Sequence, residues 1–303
     1  MVRGRAVARR RDDGVRSGLV AVAGRPNVGK STLVNALTGE KVAITSTVPN
    51  TTRKRIFGVA TSDDWQLVLV DLPGFQRPMD VLTERMQETV DGSFEDVDVV
   101  LFVLSARDRI GAGDRFVARR VFSLGVPVVI ALNKIDRLKH GHVASQMKVA
   151  ATLGDFHALH PVSAKVQDGI GELRDDLVSL LPEGPLLFPA DERTDQTLDQ
   201  RIAEIVREKA LHLTRDEVPH ALTVEIVERD ARSVRAAVLV ETESQKGILV
   251  GKRGTTIRRS VPAPGPRSRR SSAAVSTSSS SSRCGRAGGR IARRSSGSAS
   301  EAG

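Results

Sequence analysis

With 303 residues and 40% hydrophobic side chains, the chain can bury the core of one domain of ordinary size and of one smaller domain. Its formal charge of +10 lies at the ends: six arginines against two aspartates precede Ser17 and eight arginines against one acid follow Arg259, which, at +4 and +7, leave about −1 for the body between. Net charge is therefore no argument for a nucleic-acid partner; the single cysteine, Cys284, excludes an internal disulfide or a cysteine metal site, and no run approaches the roughly 18 apolar residues of a membrane span.

Residues 1–16 read as a basic, disordered arm, since no apolar stretch of signal-peptide length follows them. A cytoplasmic protein is expected from this and from the cysteine usage. From residue 17 to 182, short apolar runs alternate with helix-like segments. The runs Gly18–Ala23, Leu67–Val70, Val97–Leu104 and Val126–Leu132 read as buried parallel strands. Lys30–Leu37, Met79–Val90, Asp114–Phe122 and Ile170–Leu181 have the spacing of helices packed on a sheet, so the first domain is expected to be a doubly wound α/β layer structure. Residues 183–196, rich in proline, glycine and acid, read as a linker. A smaller α+β unit is expected over 197–259: an amphipathic helix from Thr197 to Leu213, capped by Thr197, strands at Ala221–Val227 and Val234–Glu241, and a glycine-punctuated segment Lys246–Arg258. Residues 260–303 are Ser, Arg, Gly, Pro and Ala, a composition that cannot bury enough surface to order itself, and disorder is expected there.

The run Gly24-Arg25-Pro26-Asn27-Val28-Gly29-Lys30-Ser31 fits G-x-x-x-x-G-K-[ST] between a strand and a helix. Its backbone N–H groups can curl around a phosphate at the positive end of the helix, Lys30 can place a charge on the β- and γ-phosphates, and Ser31 can offer its hydroxyl to Mg²⁺. Asp71-Leu72-Pro73-Gly74 leaves a strand at its carboxyl end, where Asp71 can hold the metal through water or serve as a plain turn residue. Thr51 and Thr52 offer a hydroxyl for the metal and a backbone N–H for the γ-phosphate, or are solvated loop residues. Asn133-Lys134-Ile135-Asp136 also follows a strand, at the sheet edge where ligands of open α/β sheets bind. Guanine presents two adjacent donors, N1–H and the exocyclic amine, which the two oxygens of Asp136 match; adenine has no such pair. Lys134 can cover the face of the base with its aliphatic stem, Asn133 can tie this loop to the phosphate loop, and Ser163-Ala164-Lys165 can offer an N–H to guanine O6.

With these five motifs in order, residues 17–182 resemble the translation-factor-class GTPases. The strings Gly24 to Leu33, Pro49 to Arg53 and Asp71 to Phe75 are similar to the branch that holds the Era and tRNA-modification GTPases. In that branch the residue after the DxxG glycine is apolar, here Phe75, so the Ras-type water-orienting glutamine is missing; Gln76, one place on, is not assigned that role, since a one-residue shift redirects a side chain. The resemblance implies catalytic parts at Asn27, Lys30, Thr52 and Gly74, and Mg²⁺ held by Ser31, Thr52 and Asp71. It also makes Asn27 either a ligand of an activating K⁺ ion or a turn asparagine. Residues 197–259 are similar to the start of the Era type II KH domain, above all at Glu241 to Gly254, where Gly251, Lys252, Arg253 and Gly254 form the GxxG loop that approaches single-stranded RNA. The Era resemblance implies a monomeric GTPase switch acting on 16S rRNA and the small ribosomal subunit, with peripheral association at the inner membrane face. A nucleotide-dependent RNA-binding module with negligible hydrolysis, a KH-defective GTPase and a tRNA-modification GTPase are the alternatives.

One departure stands out. After the GxxG loop the family continues with a helix and a final strand, yet from about Arg259 this chain turns to Ser/Arg/Pro-rich sequence, a break inside a motif-bearing helix that points to a shifted reading frame.

Overall fold

The computed structural model describes residues 15–45, 55–74, 96–213, 222–230, 234–240, 242 and 275–279. In the first unit the strands are β1 (Val15–Ala23), β2 (Ile56–Thr61), β3 (Trp65–Asp71), β4 (Val99–Ser105), β5 (Val128–Asn133) and β6 (Ala158–Pro161), in sheet order β2-β3-β1-β4-β5-β6. All neighbours run parallel except β2 with β3. Among the described residues, four helices cover the sheet: α1 (Lys30–Thr38), α2 (Ala112–Phe122), α3 (His140–Ala150) and α4 (Ile170–Ser179). The expected mostly parallel α/β layer structure is what forms.

Strand alternation builds two cores. On β4, Val99, Leu101 and Val103 join Leu33 and Leu37 of α1 and Leu173 and Leu177 of α4. Val100, Phe102 and Leu104 point the other way, to Val117 and Val121 of α2 and Ala150 of α3. Because both faces are covered, these strands read as continuous apolar runs, which is why they are legible in sequence.

Two elements go beyond the sequence expectation. Strand β2 pairs antiparallel at the sheet edge, and helix α3 covers a stretch for which no element was expected. Helix α3 has no side-chain cap and is largely exposed, so it carries little of the periodicity that marks a helix. The expected helix Met79–Val90 lies outside the described residues.

Residues 183–196 run along the domain rather than away from it. Strand β7 (Glu183–Gly184) pairs with β1, and Val59 of β2 donates its N–H to Arg193 O at 2.9 Å. Buried Gln66 accepts the N–H groups of Leu187 and Phe188 at 2.8 and 2.9 Å and donates to Phe188 O at 2.8 Å.

In the second unit, Thr197 caps α5 (Leu198–Leu213) as expected, its N–H donating to Gln200 Oε1 at 2.8 Å while its hydroxyl accepts from Gln200 N at 3.3 Å. The helix packs on β8 (Thr223–Arg229) and β9 (Val234–Val240), an antiparallel pair. Ile44, from the first unit, is buried in this second core beside Ala210, Leu211 and Leu222. Within the tail expected to be disordered, Val275–Ser279 forms a strand, β10, parallel to β9. The edge of β9 offers unpaired backbone groups, and Val-Ser-Thr-Ser-Ser carries neither proline nor charge to prevent pairing. The rest of 260–303, and all of 1–14, lie outside the described residues. Among the described residues no helix is long and apolar enough to cross a membrane.

Candidate nucleotide site

The carboxyl ends of β1, β3 and β5 deliver the predicted residues to one edge of the sheet. Gly24 to Gly29 connect β1 to α1, with Asn27 at φ 64 and Gly29 at φ 101. A side chain at Gly29 would be strained by that φ, and its Cβ would lie 2.4 Å from Asn133 Nδ2. The loop therefore closes directly onto the Asn133 segment. Helix α1 then begins at Lys30 and Ser31, presenting its amino end to the loop. Val28 is buried and anchors the loop from below.

Lys30 is 7% exposed, and its ammonium donates to the carbonyls of Gly24 and Arg25, each at 3.1 Å. Burial lowers its pKa to about 8, with the carboxylate of Asp71 acting in the opposite direction. Asp71 is fully buried at the end of β3, and Leu72, Pro73 and Gly74 follow it toward the phosphate loop. A Cβ on Gly74 would lie 2.8 to 2.9 Å from three atoms of Pro26, so the two loops touch backbone to ring.

Asn133, 2% exposed at the end of β5, joins three loops. Its amide donates to Val28 O at 3.1 Å, and its oxygen accepts the N–H groups of Lys134 at 2.8 Å and Ala164 at 3.1 Å. Lys134, in the left-handed region at φ 72, donates its ammonium to Asn27 O. Its pKa is lowered, first by burial and then by Arg107, against the raising effects of Asp108 and Asp136. Ile135 donates its N–H to Val162 O at 3.3 Å, and Asp136 accepts from the hydroxyl of buried Ser163 at 3.1 Å. A pocket of about 230 Å³ is lined by Gly29, Asn133, Lys134, Asp136, Ser163, Ala164 and Lys165, together with Thr32 and Arg107.

Thr32 and Arg107 were not singled out from sequence. Thr32 follows the G-K-S end of the loop, and Arg107 lies two residues beyond β4, where the strand-end rule that found Asp71 and Asn133 applies equally. Thr51, Thr52, Phe75 and the loop Gly251-Lys252-Arg253-Gly254 lie outside the described residues.

Comparison with known proteins agrees with this geometry. The family model "50S ribosome-binding GTPase" matches residues 19–134, and the "KH domain" model matches residues 217–260. The GTPase Era of Clostridium kluyveri is 39% identical over 250 residues, spanning 81% of this chain and 85% of that protein. A crystal structure of Era in complex with MgGDPNP and nucleotides 1506–1542 of 16S ribosomal RNA superposes with a TM-score of 0.77 at 36% identity, covering 81% of this chain and 86% of that one. A variant of Aquifex aeolicus Era bound to GDP and AlF4⁻ gives the same score, identity and coverage. On the strength of these motifs, this geometry and this similarity, the chain belongs to the GTPase Era family and is an enzyme that hydrolyses GTP.

Proposed function

We propose that the loop from Gly24 to Ser31 holds the phosphates of GTP, that Asp136 reads the guanine and that Asn133 keeps the two subsites in register. The observation that carries this reading is the triple engagement of Asn133, which ties Val28 of the phosphate loop to Lys134 and Ala164 of the base pocket. Phosphate in the loop gives the Lys30 ammonium anionic partners in place of the carbonyls of Gly24 and Arg25. The Ser31 hydroxyl and the Asp71 carboxylate are hard oxygen donors of the kind Mg²⁺ takes, and Asp71 is near enough to Lys30 to act on its ammonium. Bound with the nucleotide, that ion neutralises charge developing on the phosphates. We assign to Gly74 a backbone contact on the γ-phosphate side; Thr52 would complete the Mg²⁺ site, and Asn27 would offer an amide oxygen to K⁺.

Asp136→Asn is the test for the base site. An amide presents one acceptor and one donor, which fits the N1–H and O2 of xanthine and mismatches the N1–H and amine of guanine. GTP affinity should fall on the order of 10²-fold while xanthosine triphosphate gains. An equal loss for both nucleotides would place the base elsewhere. Single-turnover hydrolysis in potassium against sodium tests Asn27, with equal rates removing the K⁺ role.

We further propose that the chain acts in the cytoplasm, as a monomer, on the 3′ region of 16S rRNA during small-subunit assembly. The relative solved with nucleotides 1506–1542 of that RNA and the KH match over 217–260 support this reading. Binding of that RNA over a scrambled one, at a salt concentration that suppresses nonspecific contacts, is the test, and equal affinity would remove the assignment.

A further inference from the structure

Arg25 stands inside the phosphate loop but turns its side chain away from it. Its Nε donates to Asp114 Oδ1 at 2.7 Å, near the start of α2. Asp114 is 1% exposed, and its second oxygen accepts the N–H of Gly111 at 2.9 Å, so each carboxylate oxygen has an assigned donor and the rotamer is fixed. The stem of Arg25 lies on Gly113, where a Cβ would come within 2.6 Å of Arg25 Cδ. Helix α2 is itself set in the core by Val117, Ala118 and Val121. The guanidinium is thus committed to the scaffold, while the backbone of the same residue is committed to the site through its carbonyl, which accepts from Lys30 Nζ.

The next residue transmits the anchor. Pro26 has a fixed φ and little room to adjust, and its N, Cα and Cγ form the surface on which Gly74 rests. A shift of Arg25 therefore moves the wall behind Gly74, on the γ-phosphate side, more than it moves the base pocket, which is tied to the loop separately at Val28 and Asn27.

We infer that Arg25, held by Asp114, is a positioning residue for GTP hydrolysis: its side chain sets the γ-phosphate side of the loop against Gly74 without itself touching the nucleotide. The inference rests on the phosphate-loop reading above. It adds an outer residue, Asp114, that no motif marks.

The full chain carrying Arg25→Met or Arg25→Gln tests it. Methionine keeps the length of the stem and loses the donor; glutamine places an N–H at the chain position of arginine Nε and so keeps the hydrogen bond without the charge. Arg25→Met should lower kcat on the order of tenfold, as misplaced reacting groups do, and weaken GDPNP more than GDP. Arg25→Gln should recover most of the loss. The double variant Arg25→Met with Asp114→Asn relieves the buried carboxylate of its missing cation; it should unfold at a higher temperature than the single variant and keep the kinetic defect. A parallel loss of GDP and GDPNP that follows thermal stability, or a glutamine variant as impaired as the methionine one, would overturn the inference. Failure of the unaltered chain to bind either nucleotide would instead remove the phosphate-loop reading, and this inference with it.

Discussion

Lys30 carries its ammonium in a buried setting, with two loop carbonyls 3.1 Å away as partners, and burial lowers its pKa to about 8. A lysine whose folded pKa lies below its unfolded one is a cost to the folded state while it is protonated. That cost is present in full below about pH 8 and is relieved as the pH rises toward 10.5, because over that window the unfolded chain binds a proton that the folded chain does not. In nucleotide-free protein Lys30→Met should therefore raise unfolding stability at pH 7 by roughly 1–3 kcal/mol, read by urea denaturation, and the difference from the unaltered chain should narrow between pH 8 and 10. GTP binding should be lost. A variant that is less stable at pH 7 would mean the ammonium is well compensated by its partners. Lys30 was legible in the sequence because its motif is local, eight consecutive residues between a strand and a helix. Asp114 was not, since what brings it to the loop is the sheet order that sets β4 beside β1, a tertiary fact with no spacing to betray it.

At the scale of elements, the segment expected as a linker behaves as a strap. Gln66, fully buried, accepts two strap N–H groups and donates to one strap carbonyl, so both ends of one amide hold Leu187 and Phe188. Gln66→Leu would leave those N–H groups without their acceptor at a cost of about 1–3 kcal/mol. It should also make the stretch from residue 184 to 190 more sensitive to limited proteolysis in the folded protein. Unchanged cleavage there would show that β7 and the Arg193 contact suffice. Farther on, Asp195 accepts the N–H of Phe57 at 3.1 Å, and Ile44 fills the core of the second unit, where Glu208 also receives the ammonium of Lys41 at 2.5 Å. The stretches on both sides of residues 46–54 are thus fastened to the strap or to the second unit. Ile44→Ala should cost about 2–4 kcal/mol, seen as earlier unfolding of the second unit. Loss confined to the first unit would mean that Ile44 is not shared. The strap reads as a linker in sequence because its hydrogen bonds come from a distant glutamine in a strand, and composition records only that proline and glycine prevent it from forming an element of its own.

The sequence as a whole divides at about Arg259, where a KH-like pattern gives way to Ser, Arg and Pro. The tail places a strand, Val275–Ser279, along β9. Serine codons explain how such a run can arise. A TCN serine read two nucleotides out of frame gives NTC, which always encodes Phe, Leu, Ile or Val, and an AGY serine gives NAG, which encodes Lys, Gln, Glu or stop. Where TCN and AGY codons alternate, a serine run such as Ser278 to Ser282 is what an alternating apolar and charged strand becomes when its frame slips. Resequencing the gene across the codons from Arg258 to Ser268 and translating all three frames should reveal, in one neighbouring frame, an apolar and basic helix followed by such a strand. The protein made from that frame should bind the 16S fragment over a scrambled RNA. The present chain should keep that preference at lower affinity, and the part of its binding contributed by the eight tail arginines should be lost as salt is raised. If no frame encodes those elements, the polar strand is the native edge of this sheet, and removing residues 260–303 should then destabilise the second unit, because β9 would lose its neighbour.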